Sequence, residues 1–351
     1  MLRSAAIRLA SLDALADPGA LEPVVGPVEA LERSPLSGVG FSGSRHERLE
    51  ALLRSGERRR LVLKRTSLAA DWTAYRSGDV VGREAALFEA PALAGIWEVF
   101  ACPYLAYATE ADEVGLLMDD LSSYLLPDVD EPIAEAEEDA LLEAVARLHA
   151  CYWELPGIRL PWLVPLSARF GLLGPRAPDE ERDGRSNPAL FALVGRGWEL
   201  AFERLPGRAA DLLLRRPQAQ AAECADLPRT LIHGDAKVAN FGFLPGGRVA
   251  AFDWEMLGIA PATLDLGYYL AVNAGRLARP KEAVVMRYRG LLEAGLGAEI
   301  PDEVWERMVS VGLLYAAAVL LWSKAVALES GSQRALNEWD WWVDLLQWRW
   351  S

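Results

Sequence analysis

Four residues whose types could do chemistry, His233, Asp235, Lys237 and Asn240, fall within eight positions of "LIHGDAKVANFGF" (residues 231–243). They lie between runs of Leu, Ile, Val and Phe, so the loop is either a satisfied turn or a reactive site. Phosphoryl transfer needs a carboxylate to orient and deprotonate the attacking hydroxyl, and further ligands to hold Mg2+ on the phosphates. A carboxylate and an amide five residues apart on one loop could supply both, with Asp235 as base and Asn240 as magnesium ligand. A second carboxylate must complete such a metal site. Asp253 lies 13 residues beyond Asn240, where the return strand of a hairpin would bring it back beside that residue.

The elements that must position these groups are legible as patterns. "NFGFLPGGRVAAFDWE" reads as two short apolar strands around a Pro-Gly-Gly turn. Residues 29–64 read as strands, with a Gly/Ser-rich turn at 37–44 and a hairpin around "RSGERRR" that ends in "LVLK". A polar stretch (65–79) precedes a helical pattern in "GREAALFEAPAL", and "VGLLMDDL" (114–121) reads as an apolar strand ending in two carboxylates. Acidic residues 127–139 read as a solvated linker. It leads into "EDALLEAVARLHACYWEL", whose apolar residues recur at helical spacing. Residues 160–190 read as an irregular connection, and everything after 265 reads as helical. The expected fold class is therefore α+β. A strand-rich N-terminal lobe (1–117) and a hinge (118–127) precede a larger helical C-terminal lobe (128–351).

In this order and spacing, "HGDAKVAN" followed by "AFDWE" resembles the paired signature of the aminoglycoside phosphotransferase and choline kinase-like family, which shares the protein-kinase fold. The resemblance spans roughly residues 28–275. It implies a protein-kinase-like two-lobe fold, with ATP and Mg2+ bound between a small antiparallel-sheet lobe and a mainly helical one. Carried over by motif, it makes Asp235 the catalytic base and Asn240 and Asp253 the metal ligands. It makes Lys64 the lysine on ATP phosphates, with Glu84 as its partner. Gly38, Gly40 and Gly43 would form the loop over the phosphates, and backbone groups near Met118 and Asp119 would face adenine. His233 and Asp265 would be structural, and "VARLHACYW" would be a supporting helix. Lys237 departs from the common small-molecule pattern: "DxKxxN" is the arrangement of Ser/Thr protein kinases, where the ammonium stabilises the transferring phosphoryl group. Only seven residues separate Asp253 from Pro261, which leaves no room for a peptide platform.

Composition narrows the partners. A net charge of −14 argues against nucleic acid or an anionic membrane surface. Three cysteines without a CxxC pair suit reduced thiols in a cytoplasmic protein. The longest apolar run, at 309–322, is shorter than the roughly 20 residues a bilayer requires and reads as a buried helix. The expected partner is a small-molecule hydroxyl acceptor, and no feature sets the oligomeric state. The acceptor itself has no readable motif. Glu255, Trp339, Asp340 and Trp342 are the candidates for holding it, because aromatic faces and carboxylates attract cations. The rival reading is a catalytically silent nucleotide-binding protein of the same fold. His149 is expected in the core or at a helix end, and His46 on a strand surface.

Overall fold

The computed structural model describes residues 6–36, 42–127, 129, 131–155, 160–180 and 187–348. The chain forms two compact units, Met1–Asp128 with Ala239–Glu255, and Val129–Val238 with Met256–Ser351. The hairpin that carries Asp253 thus belongs to the N-terminal unit, whereas the sequence boundaries left it with the C-terminal part.

The first unit is built on a six-stranded sheet. Its strands are β1 (Ile7–Arg8), β2 (Val28–Pro35), β3 (Arg45–Leu53), β4 (Arg58–Ser67), β5 (Tyr104–Glu110) and β6 (Glu113–Asp119), in the order β1-β5-β6-β4-β3-β2. Every pairing is antiparallel except β1 with β5. β4 alternates in burial: Leu61 and Leu63 pack into a core closed by Leu12, Leu15, Leu21 and Val24 of the preceding segment. Gly115 admits that cover, since a Cβ there would lie 2.4 Å from the Leu15 side chain. The strand runs to Ser67, three residues beyond Lys64, so the residues expected as a polar stretch begin as sheet. Asp71 then caps the helix Trp72–Ser77, its carboxylate accepting from the Ala74 N–H at 2.9 Å. The helix expected at 82–93 is only Arg83–Ala86 followed by two 3-10 turns, because Pro91 supplies no N–H to continue it.

The hairpin Phe241–Leu244/Arg248–Ala251 docks on this unit through backbone bonds. Ala101 N–H donates to Val249 at 2.9 Å, and Phe243 N–H donates to Tyr124 at 2.8 Å. Phe100 packs against both Phe241 and Trp254, with ring centres 6.0 and 5.8 Å away.

The second unit is mainly helical. Its core helix, Asp302–Ala327, is buried at every position from 311 to 322. Length and composition alone would let it cross a membrane, but its apolar surface is covered by the unit's own helices. It crosses the helix Thr263–Val272 at Gly267 and Gly312, where any Cβ would lie about 2 Å from the opposite backbone. The helix Glu135–Cys151 begins inside the run expected as a solvated linker. Glu138 is fully buried there, bonded to Arg279 Nη1 at 2.8 Å, Tyr269 Oη at 3.3 Å and Ala278 N–H at 3.1 Å. Residues 160–190, expected as an irregular connection, include the helices Leu166–Gly171 and Ala177–Glu180.

Candidate active site

Lys64 lies on β4 with its side chain 6% exposed, and its ammonium is the centre of an acidic cluster. Nζ lies 2.6 Å from Glu84 Oε2, 2.8 Å from Asp253 Oδ1 and 2.5 Å from Glu255 Oε1. Burial alone would lower the lysine pKa, but Asp253, Glu255 and Glu84 outweigh it and hold the group well above its ordinary value. Three carboxylates around one cation carry a surplus of negative charge. Glu255 absorbs it: burial pushes its pKa up to about 8 against the pull of Lys64, with Asp253, Glu84 and Asp71 adding repulsion. His46 pairs with Lys64 in the β3–β4 register and is half-buried rather than a plain surface residue. Burial and the lysine charge lower its pKa.

Residues that spacing did not single out fix this cluster. Tyr104 Oη donates to Glu84 Oε1 at 2.8 Å and accepts from Asp253 N–H at 2.9 Å. Trp254 N–H donates to the same Glu84 oxygen at 3.1 Å. Arg83, 1% exposed, donates to the Glu255 carbonyl. Gly43 N–H donates to Asp71 Oδ2 at 2.9 Å, which ties the end of the expected glycine loop to the cap of the next helix. Gly38 and Gly40 lie outside the described residues. Asn240 is buried, and its carbonyl accepts from Phe252 N–H at 3.2 Å, closing the hairpin. Met118 pairs with Val62 on one side and Tyr104 on the other. The Asp119 N–H is committed to Pro103 O at 2.9 Å and its carboxylate to Arg59 at 2.6 Å. That amide is therefore engaged within the sheet unit itself.

In the second unit, Asp235 and Lys237 form a pair, Nζ to Oδ2 2.7 Å, with side chains 15% and 33% exposed. Asp265 holds the loop in shape. Its carboxylate accepts from His233 N–H and Gly234 N–H, each at 2.8 Å, and lies 3.2 Å from His149 Nε2. Burial would raise the Asp265 pKa, but the bond from His149, the nearby His149 and His233 rings and the Gly234 N–H hold it below the ordinary value. With Nε2 donating to that carboxylate, His149 Nδ1 accepts from Tyr288 Oη. His149 and His233 are both fully buried. Gly234 has φ 84°, and a Cβ would lie 2.1 Å from the Met256 carbonyl. Asn273, which no pattern singled out, donates to Ala236 O at 3.4 Å and accepts from Val238 N–H at 3.0 Å, straddling Lys237.

The acceptor candidates at the C-terminus do not come together. In the helix Gln333–Trp348, Trp339 and Trp342 are 5% and 1% exposed, while Asp340 faces solvent. The Trp342 indole Nε1–H donates to Glu338 Oε1 at 2.7 Å. These rings are packing residues rather than an aromatic cage.

Residues 43–305 match the profile of the phosphotransferase enzyme family. The chain belongs to that family. The match covers Gly43, Lys64, Glu84, Asp235, Asn240 and Asp253, and it ends before the tryptophan-rich helix. Comparison with curated protein sequences gives no match. Among solved structures, the chain is similar to a choline kinase from Streptococcus pneumoniae, with 13% identity and a TM-score of 0.48 over 94% of this chain and 96% of that one. It is similar to a choline/ethanolamine kinase family protein from Mesorhizobium loti, with 18% identity and a TM-score of 0.48 over 95% and 94%. It is also similar to an aminoglycoside phosphotransferase from Alicyclobacillus acidocaldarius, with 16% identity and a TM-score of 0.45 over 91% and 90%. This member of the family is built from an antiparallel-dominated sheet unit and a mainly helical unit.

Proposed function

We propose that this phosphotransferase-family protein is an ATP- and Mg2+-dependent kinase that phosphorylates a hydroxyl of a small-molecule acceptor. The observation that carries the reading is the meeting of Lys64, Glu84 and Asp253, three residues far apart in sequence, within one buried hydrogen-bonded cluster. A metal site fits there chemically. Glu84, Asp253 and Glu255 each offer a carboxylate oxygen, all within 4.8 Å of one another, the hard donor set magnesium prefers. Asp253 and Asn240 would hold magnesium, which neutralises charge on the nucleotide phosphates.

The protein's own residues then divide the work. Lys64, kept protonated by its carboxylate neighbours, binds phosphate oxygens, and Glu84 fixes its direction. Asp235 orients the acceptor hydroxyl and takes its proton. Lys237, already ion-paired to Asp235, shifts toward the transferring phosphoryl group as negative charge gathers there. Expected acceptors are amino alcohols, choline-like amines, sugars and aminoglycosides, and the site of action is the cytoplasm. Acceptor-dependent ADP release from Mg-ATP across such a panel tests the reading. Mg-ATP binding with no turnover on any acceptor would favour a silent nucleotide-binding role.

A further inference from the structure

Asp253 has φ 66°, in the left-handed region that residues with a Cβ adopt uncommonly and at a cost, Asp more readily than most. The surroundings here are three hydrogen bonds, one to each of three successive residues. Asp253 N–H donates to Tyr104 Oη at 2.9 Å, Trp254 N–H donates to Glu84 Oε1 at 3.1 Å, and the Glu255 carbonyl accepts from Arg83. Two of these grips come from adjacent residues of one helical turn. The third comes from β5, and it acts on the backbone of the left-handed residue itself. Tyr104 Oη in turn donates to Glu84 Oε1 at 2.8 Å. Its ring is 1% exposed and set against Phe88 and Trp97, with ring centres 5.3 and 6.0 Å away, so the hydroxyl has no other place to go.

We propose that Tyr104 is the positioning residue for Asp253, its hydroxyl pinning the strained backbone so that the carboxylate is aimed before any metal arrives. The proposal rests on the metal-holding role given to Asp253 above. Removing the hydroxyl frees the Asp253 backbone to relax. It leaves Lys64 in place, because Glu84 keeps Lys64 on one oxygen and Trp254 N–H on the other. Metal affinity and metal-free nucleotide affinity should therefore separate.

The test is Tyr104→Phe, with Tyr104→Leu as a comparator that also removes the ring. Binding of a fluorescent ATP analogue is titrated with and without Mg2+, beside the thermal midpoint. Groups that orient a metal ligand from outside are worth about 10–100-fold in metal affinity. Tyr104→Phe should accordingly raise the half-saturating Mg2+ concentration about ten-fold, while metal-free analogue binding stays near the parent value and the midpoint falls by only a few degrees from the two lost bonds. Tyr104→Leu should degrade all three. An unchanged Mg2+ requirement in Tyr104→Phe, or a joint fall of all three readings, would overturn the proposal. A parent protein with no Mg2+-dependent analogue binding would instead refute the kinase reading, and the role of Tyr104 with it.

Discussion

Asp265→Asn keeps the shape of the side chain and removes its charge. In the parent protein one carboxylate oxygen accepts from Gly234 N–H and the other from His233 N–H, both at 2.8 Å, and His149 lies 3.2 Å away. Asparagine offers one oxygen, so whichever way it turns, a buried N–H meets an NH2 group. Losing a bond to a charged acceptor costs about 1.5–3 kcal/mol, and stranding a buried donor costs a further 1–3 kcal/mol or so. The expected loss is about 3–5 kcal/mol. For a unit of roughly 200 residues each kcal/mol lowers the melting midpoint by about 2–4 °C, so the fall is about 10 °C at pH 7. The pH dependence has a definite sign. Because the folded pKa of Asp265 is depressed, its stabilisation is fully present above the unfolded value of about 3.9 and is lost as pH falls through the folded value. Scanning fluorimetry of both proteins from pH 7 to pH 3 should show the gap narrow only below about pH 4. A midpoint within about 2 °C of the parent at pH 7 would refute the claim that an ionised Asp265 holds the loop.

Two further outcomes follow from the same geometry. Asn273→Ala removes the side chain that bonds Ala236 O and Val238 N–H on either side of Lys237. Steady-state kinetics should show kcat down about ten-fold with the ATP KM kept, a loss of about 1.4 kcal/mol in the transition state, and equal effects on both would contradict it. Glu255, with a pKa near 8, binds a proton in the folded state that it has lost in the unfolded one between about pH 4.5 and 8. Stability of the metal-free protein should therefore fall as pH rises through that window, and Glu255→Gln should flatten the profile. An unflattened profile in denaturant titrations would show that another group titrates there.

Lys64, Glu84 and Asp253, which the fold brings together, and Asp235 with its partner Lys237 were legible as residue types at fixed places around strands and turns. Tyr104, Arg83, Asp71 and Asn273 were not. They act through backbone amides and carbonyls, which leave no mark on residue type or spacing. The strand amide of Asp119 shows the same limit from the other side, since its partner Pro103 O lies in a different segment. Acidity misled at Glu138, where Arg279, Tyr269 and a backbone amide make burial tolerable for a residue whose neighbours are solvated. At Trp339 and Trp342, the aromatic pattern of a buried packing face and that of a ligand-binding face are the same, so residue type alone pointed to the wrong one.

The most direct measurement follows the γ-phosphoryl group of labelled Mg-ATP onto a panel of hydroxyl-bearing amines, sugars and aminoglycosides, with Asp235→Asn beside the parent. The account predicts label on at least one acceptor class. It also predicts that transfer falls by at least about a hundred-fold in Asp235→Asn, while Mg-ATP binding persists. Transfer by Asp235→Asn at the parent rate would contradict it.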